Sequence, residues 1–254
     1  MAMPPYDIQI AITIFANVPA LPYLIFAARK LLKDGDPSAL LMSLGGFLAC
    51  GWEPVVDVLG NCFFPAENQI VGFEFLGRPI PVFVPLTYLW FVGGMGYWCL
   101  SVLRNPNTTR LDLWKLWLKY VAINGLLEYP PLYFGIYTYY GYQPFQVGGF
   151  PLWFPCVNAS APIVAATLTN LLSPYLEGWR SYAIITTSAT AFGISHAAFA
   201  YPMWLALSTD KGYYVTYPAV IITFVLITTA IWIMSLPLPE YRSVQLNGKT
   251  QPRR

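Results

Sequence analysis

Apolar residues run along this chain in long blocks rather than at the spacing of a half-buried helix or strand. Seven blocks reach the roughly 20 residues a membrane-spanning helix needs. They cover about residues 8–28, 38–60, 79–102, 113–136, 150–173, 181–207 and 213–236. Charges or Pro/Gly clusters bound each of them. The pattern predicts an all-α, polytopic membrane bundle of seven transmembrane helices within residues 1–239. A polar stretch follows at 240–254 (EYRSVQLNGKTQPRR), expected to be a disordered tail. The start, MAMPPYD, has no basic run of a signal peptide, so the first block is expected to stay as an anchor.

Charge placement orients the bundle. Arg29, Lys30 and Lys33, then Arg104, Arg110, Lys115 and Lys119, then Arg180, then Arg242, Lys249, Arg253 and Arg254 fall in alternate loops. They make up 12 of the 14 basic residues. Only Arg78 and Lys211 fall on the other side. Because basic loops stay inside, the C-terminus is expected to be cytoplasmic and the N-terminus outside. A multi-pass protein of the plasma membrane or endoplasmic reticulum follows.

Composition narrows the functions. Apolar residues make up 56% of the chain and charged ones 10%, against about 25% charged in soluble domains. That excludes a soluble enzyme and a disordered chain. A net charge of +2 gives no field to hold a phosphate backbone, so no nucleic-acid partner is expected. The expected partners are the lipid bilayer and a lipophilic small molecule. Cys50, Cys62, Cys99 and Cys156 show no CxxC spacing, and there is one histidine. No metal site and no cofactor are expected.

Ionisable residues inside spans are where function is sought. They are Glu53 and Asp57 in the second block, Glu128 in the fourth and His196 in the sixth. Glu53, Glu128 and His196 each lie 15 residues past the start of their blocks at Ser38, Leu113 and Ser181. At 1.5 Å per residue all three reach a common level, about 22 Å from the inner boundary. Asp57 is one turn beyond Glu53 on the same face, and Asn158 descends to nearly the same level. A single carboxyl in a bundle can simply hydrogen-bond a neighbouring helix, and a single histidine is more often a core residue than a catalyst. Three groups at one depth favour a shared site.

Prolines accompany that layer at Pro54, Pro130, Pro131 and Pro202, where kinks free carbonyls that must face protein or a cavity. Gly77-Arg78-Pro79-Ile80 and Gly149-Phe150-Pro151-Leu152 open successive descending blocks alike. Blocks two to seven therefore read as helical-hairpin pseudo-repeats. Aromatics form 17% of the chain. The run Tyr133–Tyr142 is expected in the interfacial belt, while Tyr88, Trp90 and Trp153 lie deeper. With Trp52, Asn158 and Arg78 they are the candidate substrate-binding residues.

The run Trp52-Glu53-Pro54-Val55-Val56-Asp57-Val58-Leu59-Gly60, then Cys62-Phe63-Phe64-Pro65 and Gly77-Arg78-Pro79-Ile80-Pro81, resembles the AveC-like spirocyclase family. So do Gly135-Ile136-Tyr137-Thr138-Tyr139-Tyr140-Gly141, Gln143-Pro144-Phe145, Gly149-Phe150-Pro151-Leu152-Trp153 and Val157-Asn158. The likeness spans most of residues 40–170. It implies a cyclase or dehydratase acting on a lipophilic polyketide, as in spiroketal formation. Trp52-Glu53 is more faintly similar to membrane terpene cyclases of meroterpenoid pathways.

The expected function is an intramembrane cyclase of secondary metabolism. A carboxyl kept from water favours its neutral form and can donate a proton to a carbonyl, enol ether, epoxide or alkene. Glu53 is assigned as the acid, Asp57 as its modulator, Glu128 or His196 as the base, and Asn158 as the group orienting a substrate oxygen. A small-solute carrier and a non-catalytic membrane subunit are the alternatives. The seventh block holds no lysine for a retinal Schiff base, and P-loop, GxSxG and HExxH motifs are absent.

Overall fold

The computed structural model describes residues 2–240, and the expected tail from 241 onward lies outside them. Helices occupy all seven apolar blocks. They are α1 (Tyr6–Asn17), α2 (Ala20–Asp34), α3 (Ser38–Ala49), α4 (Glu53–Gly60), α5 (Phe83–Tyr88), α6 (Met95–Arg104), α7 (Arg110–Tyr133), α8 (Trp153–Asn158), α9 (Ser160–Leu172), α10 (Ala183–Phe199), α11 (Tyr201–Leu207) and α12 (Tyr213–Ser235).

Among the described residues, five stretches are long and apolar enough to cross a membrane. These are Tyr6–Asp34, Ser38–Gly60, Phe83–Arg104, Trp153–Tyr175 and Tyr213–Ser235. Gly178–Phe199 and Tyr201–Leu207 make a sixth if the pair counts as one span bent by 61°. Length and apolarity thus show five or six candidate spans. The seventh candidate, α7, has the length at 24 residues, but Arg110, Asp112, Lys115 and Lys119 charge its first three turns.

At the centre, α3 packs against α10 and against a π-helical segment, Leu89–Gly94, between α5 and α6. In turn α9 packs on α10 and α6. Glycine makes the central contact possible. A Cβ on Gly46 would stand 2.6 Å from the Gly93 nitrogen and 2.7 Å from the Tyr88 carbonyl oxygen. One on Gly93 would collide with the Met42 carbonyl, and one on Gly45 with that of Ile185. In a bilayer, helices gain by such close packing rather than by the hydrophobic effect. The outer faces stay apolar, with Ile14, Leu21, Ile221 and Val225 all exposed.

The fold is mostly helical, and the all-α reading leaves out only short strand pairs. Three two-stranded pieces lie in the loops between α4 and α5 and between α7 and α8. β2 (Val71–Phe75) pairs with β3 (Arg78–Pro81), and β5 (Gln146–Val147) with β6 (Phe150–Pro151), each as a hairpin. β1 (Cys62–Phe63) pairs with β4 (Thr138–Tyr139), tying two sequence-distant loops together. The β2–β3 turn places Leu76 and Gly77 at φ 54° and 65°, the left-handed pair that matches the twist of a tight hairpin. The Gly-X-Pro openings at 77–79 and 149–151 thus lie at the second strands of hairpins that feed α5 and α8.

The helices are interrupted repeatedly. A 3₁₀ turn, Cys50–Trp52, separates α3 from α4. The π segment follows α5, Ala159 separates α8 from α9, and Ala200 separates α10 from α11. Pro130 and Pro131 lie in the last turn of α7.

Candidate functional site

The breaks surround a cavity of about 80 Å³. The α4 helix supplies Glu53 and Asp57, α5 supplies Tyr88, α7 supplies Asn124 and Glu128, and α8 supplies Asn158. Cys62, Phe64, Tyr137 and Tyr139 close the hairpin end. Phe83, Phe91, Phe154 and Phe192 complete an aromatic wall. Glu53, Asp57, Glu128 and Asn158 therefore share one space. A cavity this size holds a few waters or one functional group, not a drug-sized ligand, which takes about 300–1,000 Å³.

The loop that closes the hairpin end is held by one amide. Gln143 Nε2 donates to the Gly60 carbonyl at 2.8 Å, and its Oε1 accepts from Trp153 Nε1 at 3.1 Å. The β1–β4 pair and the Tyr140 N–H to Asn61 carbonyl bond, 2.9 Å, fasten the same loop over α4. Tyr137 and Tyr139 are consequently buried, which corrects their assignment to the interfacial belt. Tyr133, Tyr140 and Tyr142 are exposed. Burial first, and then the Glu128 carboxyl, push the Tyr137 phenol well above its ordinary pKa, so it keeps its proton. Burial likewise raises Tyr139 and the Cys62 thiol.

Each glutamate has a tyrosine. The Tyr88 hydroxyl donates to Glu53 Oε2, and the Tyr137 hydroxyl donates to Glu128 Oε2. Glu128 receives more: Asn124 Nδ2 donates to its Oε1 at 3.2 Å, and Asn158 Nδ2 reaches the same oxygen at 3.5 Å. With three donors converging on it, Glu128 is built as an acceptor. On the other wall, Asp57 Oδ2 is buried with no hydrogen-bond partner. The described residues form no ion pair with Glu53, Asp57 or Glu128.

His196 does not line the cavity. It sits behind Asn158, its Nε2 2.8 Å from Asn158 Oδ1. Asn158 Nδ2 points the other way, to Asn124 Oδ1 at 3.2 Å and to Glu128. Because Asn158 Oδ1 can only accept, His196 must donate from Nε2. Its Nδ1 is then left buried without a partner. The ring packs against Phe192 (centroids 4.4 Å apart), Phe154 and Trp204. Asn158 thus stands between His196 and the cavity.

Four further candidates lie off the cavity. Trp52 packs its indole against Gly193, and Trp153 is spent on Gln143. Trp90 donates its Nε1 to the Ala16 carbonyl at 2.9 Å and lines a neighbouring groove. Arg78, on β3, reaches the Tyr140 hydroxyl at 3.5 Å. Asn124 and Tyr137 are the additions. Asn124 is legible afterwards as the i−4 neighbour of Glu128 on one helix face. Tyr137 carries no signal in an already aromatic loop. The chain matches no family model, no curated protein sequence and no solved structure.

Proposed function

We propose that this chain is an intramembrane cyclase of seven spans, its N-terminus outside and C-terminus cytoplasmic, that isomerises a lipophilic substrate by paired acid and base catalysis. The observation that carries the reading is one cavity holding two tyrosine-paired glutamates of unequal wiring. Glu128 meets three donors and serves as the base. Glu53 meets one, from Tyr88, and serves as the acid, with Asp57 one turn away. Glu53 protonates a double bond or carbonyl, a hydroxyl of the same molecule attacks the activated carbon, and Glu128 accepts the hydroxyl proton, which passes back to Glu53 before the next turnover. The product is an isomer of the substrate, so no co-reactant is consumed. Asn158, locked by His196, orients a substrate oxygen. Holding the two ends of one molecule in contact lowers the barrier by roughly 7–11 kcal/mol at best.

The resemblance of residues 40–170 to AveC-like spirocyclases supports a polyketide-type substrate, and the likeness of Trp52-Glu53 to membrane terpene cyclases supports a terpenoid one. The deciding experiment is untargeted comparison of metabolites from a deletion strain with those of its parent. Complementation with Glu53→Gln and Glu128→Gln at wild-type membrane levels follows. Each substitution should lower the restored product by about 100-fold or more if it removes general acid or base catalysis. Full restoration by both would overturn the reading. The broken helices around the cavity favour one alternative, a small-solute carrier. Uptake into proteoliposomes without product formation would select it.

A further inference from the structure

Beside the cavity lies a larger space of different chemistry. A groove of about 400 Å³ is lined by Pro19, Tyr23, Trp90, Gly94, Trp98 and Ile123, among others. The same three units build both. Where α1 meets α2, Ala16 faces the cavity, and Pro19, about a turn further, faces the groove. Along α5, the π segment and α6, Tyr88 and Phe91 face the cavity, and Gly94 and Trp98 face the groove. On α7, Glu128 faces the cavity, and Ile123 faces the groove. On all three units the groove residues lie on the side away from the hairpins. Trp90, bonded to the Ala16 carbonyl, stands at the boundary.

The groove offers a mainly apolar surface whose tyrosine and serine hydroxyls are already engaged. Tyr23 donates its hydroxyl to the Ala39 carbonyl at 3.0 Å, Tyr97 to Asp36 at 3.3 Å, and Ser101 to the Tyr97 carbonyl at 3.0 Å. No lysine or arginine lines either space.

We propose that cavity and groove together bind one amphiphile, with its uncharged, oxygen-bearing head among Glu53, Asp57 and Glu128 and its apolar chain in the groove. This deepens, and rests on, the acid/base reading of the cavity. The two spaces together fall in the usual range of about 300–1,000 Å³ for small-molecule sites, which the cavity alone does not. Bilayer tails are as apolar as the groove, so a chain gains nothing from the hydrophobic effect on moving between them. Retention comes from the hydrogen bonds of the head and the shape of the groove. A phospholipid placed the same way would set its phosphate against three carboxyls, with no lysine or arginine among the lining residues.

The test uses the full chain in phosphatidylcholine nanodiscs and two photoreactive probes. One is a long-chain alkyl methyl ketone with a diazirine at the chain end. The other is the same chain and diazirine without the ketone. Peptide mapping should find the ketone probe on Tyr23, Trp98 or their neighbours, and the headless probe there far less. The double variant Glu53→Met/Glu128→Met, which leaves no donor on either side chain, should erase that preference, and Ile123→Trp should remove the groove labels. Equal labelling by both probes on the wild-type protein makes the groove a lipid-tail site and overturns the proposal, without relying on any variant. So do ketone labels away from the groove. Product formation is read separately. Equal labelling of the wild-type protein, with product lost in the glutamate variants, removes this proposal but keeps the cyclase. Ketone-selective labelling with an unchanged metabolite profile keeps head-and-chain binding and removes the cyclase.

Discussion

The Tyr137 hydroxyl is the sharpest place to probe the proposed base. Tyr137→Phe deletes one oxygen and keeps the ring, which packs on Phe64 and Tyr139 with centroids 5.4 and 5.8 Å away. The substitution removes the donor to Glu128 Oε2 and the bond to the Glu128 carbonyl oxygen at 3.1 Å. What remains on the carboxyl is Asn124 at 3.2 Å and Asn158 at 3.5 Å, the first at the long end of the usual N–H···O range and the second beyond it. A hydrogen bond to a charged partner is worth about 1.5–3 kcal/mol. If that contribution is felt fully at the transition state, product formation falls roughly ten- to hundredfold. The assay is the amount of the deletion-sensitive metabolite restored per unit of folded protein, with thermal unfolding in detergent as the control for structure. A double-mutant cycle closes the argument. If Tyr137 acts through Glu128, the Tyr137→Phe/Glu128→Gln double variant is little worse than Glu128→Gln alone. Activity within about twofold of wild type in Tyr137→Phe, or losses that simply multiply in the double variant, would refute the coupling.

Four other outcomes are expected. Gly46→Ala or Gly93→Ala should lower stability by roughly 1–3 kcal/mol through overpacking against backbone, read as a lower thermal midpoint; an unchanged midpoint contradicts the α3 contact with the π segment. His196→Ala should lower product formation, and His196→Gln should restore much of it by donating its amide to Asn158; a glutamine variant as poor as the alanine one points instead to proton transfer by His196. Burial alone would raise the Asp36 carboxyl, but hydrogen bonds from Ser38, the charge of Arg104 and the Tyr97 hydroxyl outweigh it and hold the pKa below 3.8. Asp36 therefore contributes stability that is present above that value and lost as pH falls through its lower folded value, and Asp36→Asn should flatten the acid limb of a thermal unfolding series. A cysteine placed at Asn107 should escape a membrane-impermeant thiol reagent in intact cells; labelling from outside overturns the proposed orientation.

Depth was legible in the sequence, whereas direction was not. Counting from block starts puts Glu53, Glu128 and Asn158 at one level because the rise of a helix is nearly constant. The cavity that they line agrees with that count. Rotation about each helix axis has no such rule, and His196 illustrates the consequence: it reaches the common level but turns behind Asn158. Trp52 and Trp153 likewise lie near the right depth and face Gly193 and Gln143. The strands were illegible for a different reason. β1 pairs with β4 across more than seventy residues, and two-residue strands leave no alternation to read. Burial of Tyr137 and Tyr139 follows from that pairing, so nothing local in an aromatic loop distinguishes them from the exposed Tyr133.

The placement of the breaks has a physical logic of its own. A regular helix satisfies every backbone group internally and has none left to shape a cavity. Here α4 begins at Glu53 after a 3₁₀ turn, the π segment begins right after Tyr88, prolines follow Glu128 by two and three residues, and α8 ends at Asn158. Every unit that brings a hydrogen-bonding side chain to the cavity departs from regular helix beside it. Such departures weaken a span, and π segments in particular occur mostly at functional sites. The glycine contacts at Gly45, Gly46 and Gly93 lie along the same central helices, where close packing offsets that weakness. The cavity and the tight core are therefore one structural solution. Loosening the core should displace Tyr88, whose carbonyl abuts Gly46, and with it the hydroxyl that holds Glu53. Gly46→Ala is accordingly expected to lose product formation at temperatures where the protein is still folded. Full activity up to its unfolding temperature would show that the core and the carboxyl site are mechanically independent.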